Sequence, residues 1–506
     1  MELIDFSSSV WSIIPALLAI VLAIATRRVL VSLSAGIIVG ALMLGGWNIG
    51  PSFSYLSSNV ISLVYADGAI NSNMNIVLFL LLLGVLTALL TVSGSNRAFA
   101  EWAQSRIKGR RGAKLLAASL VFVTFIDDYF HSLAVGAIAR PVTDRFKVSR
   151  AKLAYILDST AAPMCVMMPV SSWGAYIITL VGGLLATYSI TEYTPIGAFV
   201  AMSSMNFYAI FSIIMVFFVA YFSFDIASMA HHEKLALENT EDELEEEICV
   251  KGHVRNLILP ILVLIFSTVT MMIYTGASAL AADGKEFSIL GAFENTTVGI
   301  SLVMGGLSAV ATSTLLIILD RQVSLPEYVN AWIAGIKSMS GAIAILFFAW
   351  TINKVVGDAQ TGKYLSSLVS GNIPVEFLPV LLFILGAAMA FSTGTSWGTF
   401  GIMLPIAAAM ATNSAPELLL PCLSAVMAGA VCGDHCSPVS DTTILSSTGA
   451  KCNHMDHVTT QLPYAATVAT ATSAGYIVVG FTKSGLAGFV TTAAVLVALV
   501  FIVKKR

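Results

Sequence analysis

The sequence predicts an all-α polytopic membrane protein built from two inverted-topology repeats, each with a re-entrant hairpin and a broken transmembrane helix. Two observations predict this fold class. The chain of 506 residues is 57% hydrophobic and 11% charged, and apolar runs recur along its length. The polar strings Pro-Val-Ser and Ser-Trp-Gly also occur in both halves, the first at 169–171 and 438–440 and the second at 172–174 and 396–398.

Each Pro-Val-Ser string follows an earlier polar break by the same length of chain. Asp127 to Pro169 and Ser396 to Pro438 cover equal numbers of residues. Polar, helix-breaking segments persist at membrane depth only where they line a cavity or contact protein. Two matched pairs of breaks therefore predict a binding site at a repeat interface, as in secondary transporters.

Charge and composition exclude several classes of function. The net charge of -3 is small and the basic residues cluster in short loops, which indicates membrane topology rather than nucleic-acid binding. The sequence has no Walker-type string of glycine, lysine and serine, so we expect energy from an ion gradient and not from ATP. We expect a protein that is not an enzyme and has no cofactor. The six cysteines lack the spacing of a disulfide framework and are expected as free thiols.

Placing the basic loops in the cytoplasm orders the first repeat, residues 1–230. Its first apolar run lacks a basic leader and precedes Arg27 and Arg28, which predicts a retained helix with the N-terminus outside. Basic residues flank both ends of segment 115–140, which predicts a hairpin that opens to the cytoplasm. A broken helix over 152–188 follows. The other predicted helices cover 10–27, 29–46, 74–94 and 206–228.

An acidic cytoplasmic linker, 231–256, joins this half to the second repeat, 257–482. The second hairpin, 376–411, is predicted to open to the outside, and the second broken helix covers 417–450. An extra transmembrane helix within 483–506 ends at a cytoplasmic C-terminus. Because the two halves then run antiparallel, the charge pattern predicts an inverted repeat. The remaining predicted helices cover 257–275, 297–319, 340–356 and 460–482.

Carboxylates within or close to apolar spans mark the candidate cation site. An unpaired charge at this depth costs about 2.5 to 3.5 kcal/mol on insertion scales, so such residues indicate a function. Oxygen ligands suit Na+, and a buried carboxyl can hold either a proton or a cation, which is sufficient for antiport. The candidate carboxylates are Asp127, Asp128, Asp158, Asp434 and Asp441. The accompanying hydroxyls are Ser159, Ser171, Ser172, Thr393, Thr395, Ser396, Ser437 and Thr442.

Some of these residues allow more than one interpretation. Asp127 and Asp128 are adjacent and cannot both face one cavity, so one is the ligand and the other caps a half-helix or pairs with a basic group. The sequence leaves open which is which. Asp434 and Asp441 are also suited to cap half-helices. That role would itself bring them to the site, because half-helix ends form the site in this architecture.

Residues of other types at the breaks suggest packing and gating. Trp173 and Trp397 are expected to pack or gate rather than to anchor at a membrane interface. Gly174 and Gly398 are expected to permit close helix approach, and Pro169 and Pro438 to interrupt their helices.

Histidines near the breaks have two interpretations. His131 and His435 are candidates for a proton or substrate role, with a hydrogen-bonding packing role as the alternative. Cysteines and histidines at 432–436 and 452–457 suggest a metal site, but the second group is predicted in a cytoplasmic loop away from the first. We therefore expect no structural zinc.

Four motifs in register carry a resemblance to a known family: FIDDYFHSLAVG, ILDSTAAPMCVMMPVSSWG, FSTGTSWGTFGIMLPIA and GDHCSPVSDTTILSS. Through them the chain resembles the NhaC family of sodium/proton antiporters, within the ion transporter superfamily, over nearly its whole length. The resemblance implies an elevator-type secondary transporter, in which hairpins and broken helices move against a scaffold. Relatives include sodium-malate/proton-lactate exchangers and amino-acid transporters. The site implied by this likeness combines Asp127, Asp128 and Asp158 with Thr395, Ser396, Asp434, Ser437 and Asp441.

The combined expectation is a sodium-coupled transporter of a bacterial inner membrane that exchanges Na+ for H+. The alternative is a Na+-driven transporter of an amino acid or small organic acid that uses the same cation site. In that version the half-helix N-termini after Ser172 and Ser396 would hold the substrate carboxylate. The expected partners are small ions and the lipid bilayer, and a homodimer is expected by analogy with elevator scaffolds.

Overall fold

The computed structural model of the protein describes residues 3–26, 28–66, 68–71, 73–125, 128–169, 171–238, 252–321, 323–361, 364 and 374–504. These residues are mostly helical. Their one β-structure is a short antiparallel pair, β1 (Tyr65–Ala66) and β2 (Ala69–Ile70). Half of the predicted acidic linker, residues 239–251, lies outside the described residues, as does the candidate ligand Asp127.

The described part of the first half contains thirteen α-helices. They are α1 (Ile14–Thr26), α2 (Val29–Leu44), α3 (Ile49–Val64), α4 (Asn73–Val92), α5 (Ser95–Arg106), α6 (Gly109–Ser119), α7 (Val121–Thr124), α8 (Asp128–Arg145), α9 (Arg150–Cys165), α10 (Ser172–Thr187), α11 (Pro195–Ser204), α12 (Phe207–Phe222) and α13 (Ser228–Glu238).

The described part of the second half contains ten α-helices. They are α14 (Arg255–Ala282), α15 (Ile289–Glu294), α16 (Val298–Asp320), α17 (Leu325–Asp358), α18 (Leu378–Thr393), α19 (Ser396–Ser414), α20 (Leu419–Cys436), α21 (Asp441–Gly449), α22 (His454–Thr482) and α23 (Gly485–Lys504). Short 3-10 helices cover Val10–Ile13, Val375–Phe377 and Pro416–Leu418.

Seven helices among the described residues are long and apolar enough to cross a membrane. The bent pair α11 and α12, with an angle of 51° between its members, would form an eighth span. The chain is therefore a multi-pass membrane protein. The seven are Asn73–Val92, Arg255–Ala282, Val298–Asp320, Val375–Thr393, Pro416–Cys436, His454–Thr482 and Gly485–Ile502.

Several helix bounds differ from the predicted ones. Helices α1 and α2 have 13 and 16 residues, fewer than the about 20 that a span needs. Neither α3 nor the β1–β2 pair was predicted from the sequence. Helix α17 begins well before the predicted residue 340, because Ser324 and Glu327 form a capping box. Hydrogen bonds from the side chain and the backbone nitrogen of Ser324 lower the pKa of the Glu327 carboxyl.

The polar strings coincide with helix interruptions. Helix α9 ends at Cys165 and α10 begins at Ser172, so Pro169 lies between them. Helix α20 ends at Cys436 and α21 begins at Asp441, so Pro438 lies between these two. The segments 166–171 and 437–440 are called here the first break and the second break.

The tip between α18 and α19 packs directly on the second break. Gly394 turns the chain there with a φ of +66°, which favours glycine. A Cβ on Gly394 would lie 2.6 Å from the Val439 carbonyl oxygen, so a side chain would push the tip away from the break. The turn between α18 and α19 and the second break therefore meet at one point.

The buried apolar residues form two large cores. The larger core joins α9, α10, α12, α18, α19, α20 and α22. The other joins α4, α14, α16 and α17. Helix α8 contributes to both, and α21 packs against it so closely that a Cβ on Gly136 would lie 2.6 Å from the Gly449 carbonyl oxygen. Helices α8 and α21 thus form the border where the two halves of the sequence meet.

Candidate functional site

Asp434 lies in the last turn of α20 and is 1% exposed. One carboxylate oxygen, Oδ2, accepts hydrogen bonds from the Ser396 backbone nitrogen (3.0 Å) and from Ser396 Oγ (2.7 Å). The other, Oδ1, accepts one from Ser440 Oγ (2.5 Å). Ser396 is the first residue of α19 and Ser440 precedes α21, so this carboxylate holds three helix ends together. Its negative charge also faces the positive end of α19.

A second carboxylate, Asp441, follows at the first position of α21. Its Oδ2 accepts a hydrogen bond from the hydroxyl of Tyr129 on α8, and its Oδ1 accepts one from the Thr442 backbone nitrogen (2.9 Å). The hydroxyls of Ser440 and Thr442 are 2.9 Å apart. Two carboxylates and several hydroxyls are thus concentrated around the second break, and Tyr129 links them to the first half of the chain. We call the set Ser396, Asp434, Ser440, Asp441 and Thr442 the Asp434 centre.

The backbone of the second break is held by neighbouring polar groups. Ser437 Oγ donates to the Phe391 carbonyl oxygen (2.7 Å) at the end of α18. His454 Nε2 is hydrogen-bonded to the Pro438 carbonyl oxygen (2.8 Å). Thr393 Oγ1 donates to its own helix at the Met389 carbonyl oxygen (2.9 Å), and Thr395 is the N-cap residue of α19. Ser437, Thr393 and Thr395 therefore lie beside the Asp434 centre and shape it.

Asp158 forms a second buried centre, in the middle of α9. Its Oδ2 is hydrogen-bonded to His457 Nε2 (3.0 Å) and accepts a bond from Gln461 Nε2 (2.6 Å). Its Oδ1 accepts a longer bond from Ser446 Oγ (3.4 Å). All of these partners come from the second half, so Asp158 ties α9 to α21 and α22. We call this set the Asp158 centre.

His457 and Gln461 were not predicted as site residues from the sequence, and the prediction for this region was wrong. It assigned residues 452–457 to a cytoplasmic loop, whereas α22 begins at His454 and His457 is fully buried. Asn453 caps this helix by accepting bonds from the backbone nitrogens of Met455 and Asp456, which extends it by more than one turn. The signal in the sequence was Asn453, a common helix-capping residue, followed by His457 and Gln461. These two residues are four positions apart and therefore lie on one face of a helix.

Two atoms of the Asp158 centre lack partners. His457 Nδ1 and Gln461 Oε1 are buried and have no hydrogen bond to any described residue. Gln461 also donates to the His435 carbonyl oxygen, so its amide nitrogen is shared between two acceptors. With the amide in this orientation, no donor among the described residues bonds to the Gln461 side-chain oxygen.

The two candidate histidines are each held between hydroxyl groups. His435 is hydrogen-bonded to Ser159 Oγ (2.8 Å) and to the hydroxyl of Tyr208 (2.8 Å). His131 is bonded to Thr124 Oγ1 (2.6 Å) and Thr160 Oγ1 (2.9 Å). Both histidines are buried, and their hydrogen bonds join neighbouring helices. Ser159 therefore contacts His435 rather than a carboxylate.

Among the described residues, no group of three or more histidine, cysteine, aspartate or glutamate side chains is arranged to hold a metal ion. The five cysteines in this part of the chain are free thiols.

In the first break, the Ser171 hydroxyl bonds to backbone groups before and after it. Ser171 accepts a hydrogen bond from the Gly174 backbone nitrogen (2.8 Å), which caps α10. Its hydroxyl also donates to the carbonyl oxygens of Cys165 (2.6 Å) and Met168 (2.8 Å). Ser172 is the first residue of α10. A Cβ on Gly174 would overlap the Met168 carbonyl oxygen, so this glycine permits the tight return of the chain.

Asp128 is bonded to a tryptophan of the first break. Trp173 Nε1 donates to Asp128 Oδ1 at 3.1 Å, and both side chains are buried. The rings of Trp173 and Trp397 meet edge to face with their centroids 5.9 Å apart. Trp397 is half-buried and Gly398 is exposed. Trp173 thus packs inside the protein and joins the two Ser-Trp-Gly strings.

A buried carboxylate at the junction of interrupted helices, in a chain with several membrane-spanning helices, is typical of membrane transporters. The family model described as "Na+/H+ antiporter family" matches residues 164–481, well over half of the chain. The chain therefore belongs to the Na+/H+ antiporter family. It is a transporter and not an enzyme.

Two relatives differ greatly in how much of the chain they match. An uncharacterized protein of Haemophilus influenzae is 88% identical over all 506 residues, which cover 98% of that protein. A protein of Bacillus subtilis named malate-2H(+)/Na(+)-lactate antiporter is 30% identical over 168 residues, which are 32% of this chain and 34% of that protein.

Two solved structures of transporters align over most of the chain, each at 14% identity. YdaH of Alcanivorax borkumensis aligns with 94% of this chain and 98% of its own, at a TM-score of 0.37. MtrF of Neisseria gonorrhoeae aligns with 87% of this chain and 83% of its own, at a TM-score of 0.31.

Proposed function

We propose that this chain exchanges sodium ions for protons, with the Asp434 carboxylate holding either ion in turn. The observation that carries the proposal is the burial of Asp434 at the meeting point of α19, α20 and α21. The hydroxyl oxygens of Ser396 and Ser440 bond to this carboxylate, and Thr442 bonds to Ser440 in turn. The Asp441 carboxylate follows Ser440 in the chain. Oxygen ligands of these kinds suit Na+. Membership of the Na+/H+ antiporter family supports the same conclusion.

The hydrogen bonds of Asp434 suggest how the two ions compete. Two hydroxyls and one backbone nitrogen donate to the carboxylate. Because a hydroxyl rotates freely, Ser396 and Ser440 can turn their oxygen lone pairs toward a bound cation. A carboxylate buried at membrane depth is stable only when a cation, a proton or several donors compensate its charge. Binding of Na+ would therefore displace the proton, and protonation would release Na+.

The proposal includes an elevator-type movement of two inverted repeats, each with its hairpin and interrupted helix. The presence of separate cores supports it, since a body centred on α9, α18, α20 and α22 could move against one centred on α4, α14, α16 and α17. The proposed setting is a bacterial inner membrane with the N-terminus outside and the C-terminus in the cytoplasm. A homodimer is proposed by analogy with elevator scaffolds.

A pH recording in sealed vesicles tests the exchange. A sodium pulse applied to vesicles with purified wild-type protein should change the internal pH without any organic solute. Asp434→Asn removes the titrating charge and keeps the shape, so its rate should fall at least about 100-fold, as expected for the loss of an essential ion-carrying group. Asp283→Asn is the matched control, because this aspartate is exposed and pairs only with Lys285 at 3.1 Å among the described contacts.

The same recording can reject the proposal. A wild-type rate in Asp434→Asn would exclude Asp434 as the carrier of the ions. A wild-type protein without any sodium-dependent pH change would exclude sodium-proton exchange itself.

A second candidate function is sodium-driven transport of a small organic acid. The observation that favours it is the Bacillus subtilis relative, whose name gives malate and lactate as its solutes. The N-terminus of α19 is a poor site for such a carboxylate, because Asp434 already accepts the Ser396 backbone hydrogen bond there. Uptake of labelled lactate, malate and an amino-acid panel, with and without a sodium gradient, separates this candidate from simple exchange.

A further inference from the structure

Tyr129 reaches the Asp434 centre from the first half of the chain. Its hydroxyl donates a hydrogen bond to Oδ2 of Asp441, the first residue of α21. The tyrosine lies in the first turn of α8, and its partly buried ring packs against the core of α4, α14, α16 and α17. The hydroxyl therefore joins that core to one of the proposed sodium ligands, a residue 312 positions away in the sequence.

Helices α8 and α21 hold this contact in place. About one turn beyond the tyrosine, the hydroxyls of Ser132 and Ser446 are 3.0 Å apart. Further along, a Cβ on Gly136 would lie 2.6 Å from the Gly449 carbonyl oxygen, so the two backbones touch. These contacts follow the same order along both helices, and closely packed backbones resist sliding. The position of the tyrosine hydroxyl relative to the carboxylate is therefore set by the packing of two helices.

The hydrogen bonds of Asp441 fix the orientation of its carboxylate. Oδ2 accepts the bond from Tyr129, and Oδ1 accepts one from the Thr442 backbone nitrogen (2.9 Å). A donor on each oxygen opposes rotation of the side chain. A carboxylate oxygen has more than one lone-pair site, so it can bind a cation while it accepts a hydrogen bond. A ligand held in this way binds a cation without the entropy cost of being ordered first.

We propose that Tyr129 is a positioning residue for sodium binding, whose hydroxyl holds the Asp441 carboxylate in the orientation that contacts the cation at the Asp434 centre. Ser440, the residue before Asp441, donates to Asp434 Oδ1 at 2.5 Å, which brings the two carboxylates into one site. Tyr129 acts through Asp441 and does not itself bind the cation. The inference rests on the proposed function, because it takes the Asp434 centre as the sodium site. It adds that a residue of the first half sets the sodium affinity of a site built from the second half.

Equilibrium binding of radioactive sodium chloride to the full-length protein in phosphatidylcholine nanodiscs, at constant pH, tests the proposal. Tyr129→Phe keeps the ring and removes only the hydroxyl. The number of sodium sites should therefore stay the same, and the Kd for Na+ should rise about 10-fold, as expected for the loss of a hydrogen bond to a charged group. A merely structural role would lower the number of sites and leave the Kd of the remaining sites unchanged.

Tyr328→Phe is the matched control. The partly buried ring of Tyr328 packs against the same core, but its hydroxyl lies 2.9 Å from Thr314 Oγ1 instead of a carboxylate. Its Kd for Na+ should equal that of the wild type. A second variant, Tyr129→Met, removes the same hydroxyl with a flexible apolar side chain and covers the case in which Tyr129→Phe does not fold.

A wild-type Kd in a folded variant without the Tyr129 hydroxyl would overturn the proposal, and so would an equal rise in Tyr328→Phe. A lower Kd would overturn it too, since the hydroxyl would then compete with the cation. So would a wild-type protein that does not bind sodium. The vesicle recording tests the exchange separately. A sodium-dependent pH change with an unchanged Kd in the variants would reject the role of Tyr129 alone, whereas sodium binding that depends on Tyr129 without any pH change would reject the exchange alone.

Discussion

The two interrupted helices share the Pro-Val-Ser string and the same kind of backbone break, but they use their carboxylates differently. In the α9–α10 helix, the Ser171 hydroxyl bonds across the first break to the Cys165 carbonyl oxygen, and Asp158 lies about two turns before this break. In the α20–α21 helix, Asp434 lies directly before the second break and bonds to Ser440 on its far side. The α9–α10 helix therefore has its buried aspartate away from the break, whereas the α20–α21 helix has its buried aspartate beside the break.

This difference suggests separate tasks for the two aspartates. Asp158 accepts hydrogen bonds from Gln461 and Ser446 and pairs with His457, so it holds α9 to α21 and α22. Asp434 accepts most of its bonds from hydroxyls that can reorient toward a cation. The first carboxylate is thus suited to joining the halves, and the second to exchanging ligands.

The largest expected effect on stability comes from Asp158. Asp158→Ala removes the acceptor of two buried groups, His457 Nε2 and Gln461 Nε2, and each buried group left without a partner costs roughly 1 to 3 kcal/mol. The free energy of unfolding should therefore fall by about 4 kcal/mol. Asp434→Asn keeps a polar side chain among rotatable hydroxyls and should lose less than about 1 kcal/mol. Unfolding in mixed detergent micelles measures both.

A double-mutant cycle strengthens this comparison. His457→Ala alone and combined with Asp158→Ala should show non-additive losses, because the second change removes a contact that the first has already broken. Equal losses of stability in Asp158→Ala and Asp434→Asn would contradict the division of tasks between the two centres.

The next largest effect is expected at the two tryptophans of the Ser-Trp-Gly strings. Trp173→Phe removes the Nε1 hydrogen bond to buried Asp128 and leaves a small void, so unfolding should become easier by about 2 kcal/mol. Trp397→Phe changes a half-buried ring and should cost about 0.5 kcal/mol. Similar losses from both substitutions would mean that the hydrogen bond between Trp173 and Asp128 adds little to the free energy of unfolding.

Local strings in the sequence predicted the helix interruptions, because proline, glycine and serine act on the backbone within a few residues. The strings around Pro169, Gly394 and Pro438 all coincide with helix ends in the structure. The prediction of the candidate carboxylates Asp158 and Asp434 also needed only local information, since a charge inside an apolar run is visible in the sequence.

The partners of these carboxylates could not be predicted in the same way. Tyr129 bonds to Asp441 and Ser132 to Ser446 across more than 300 residues, and no local pattern encodes such pairs. His457 was missed because a single capping residue, Asn453, extends α22 beyond its apolar run. Tertiary packing and helix caps therefore account for what the sequence alone did not predict.

The smallest difference in stability within a matched pair of variants, and the sharpest test of the comparison, is expected for the serines of the two Pro-Val-Ser strings. Ser171→Ala removes the cap of α10 and Ser440→Ala removes one donor to Asp434, so each should cost about 1 kcal/mol. Their effects on transport should differ. Ser440→Ala removes a proposed sodium ligand and should raise the KM for Na+ about 10-fold, as expected for about 1.4 kcal/mol of lost binding. Ser171→Ala should leave this KM unchanged, because its hydroxyl bonds only to the backbone in the described structure. Sodium titrations of the vesicle pH signal measure both constants, and an equal rise in the two variants would show that the second break has no special role in binding the cation.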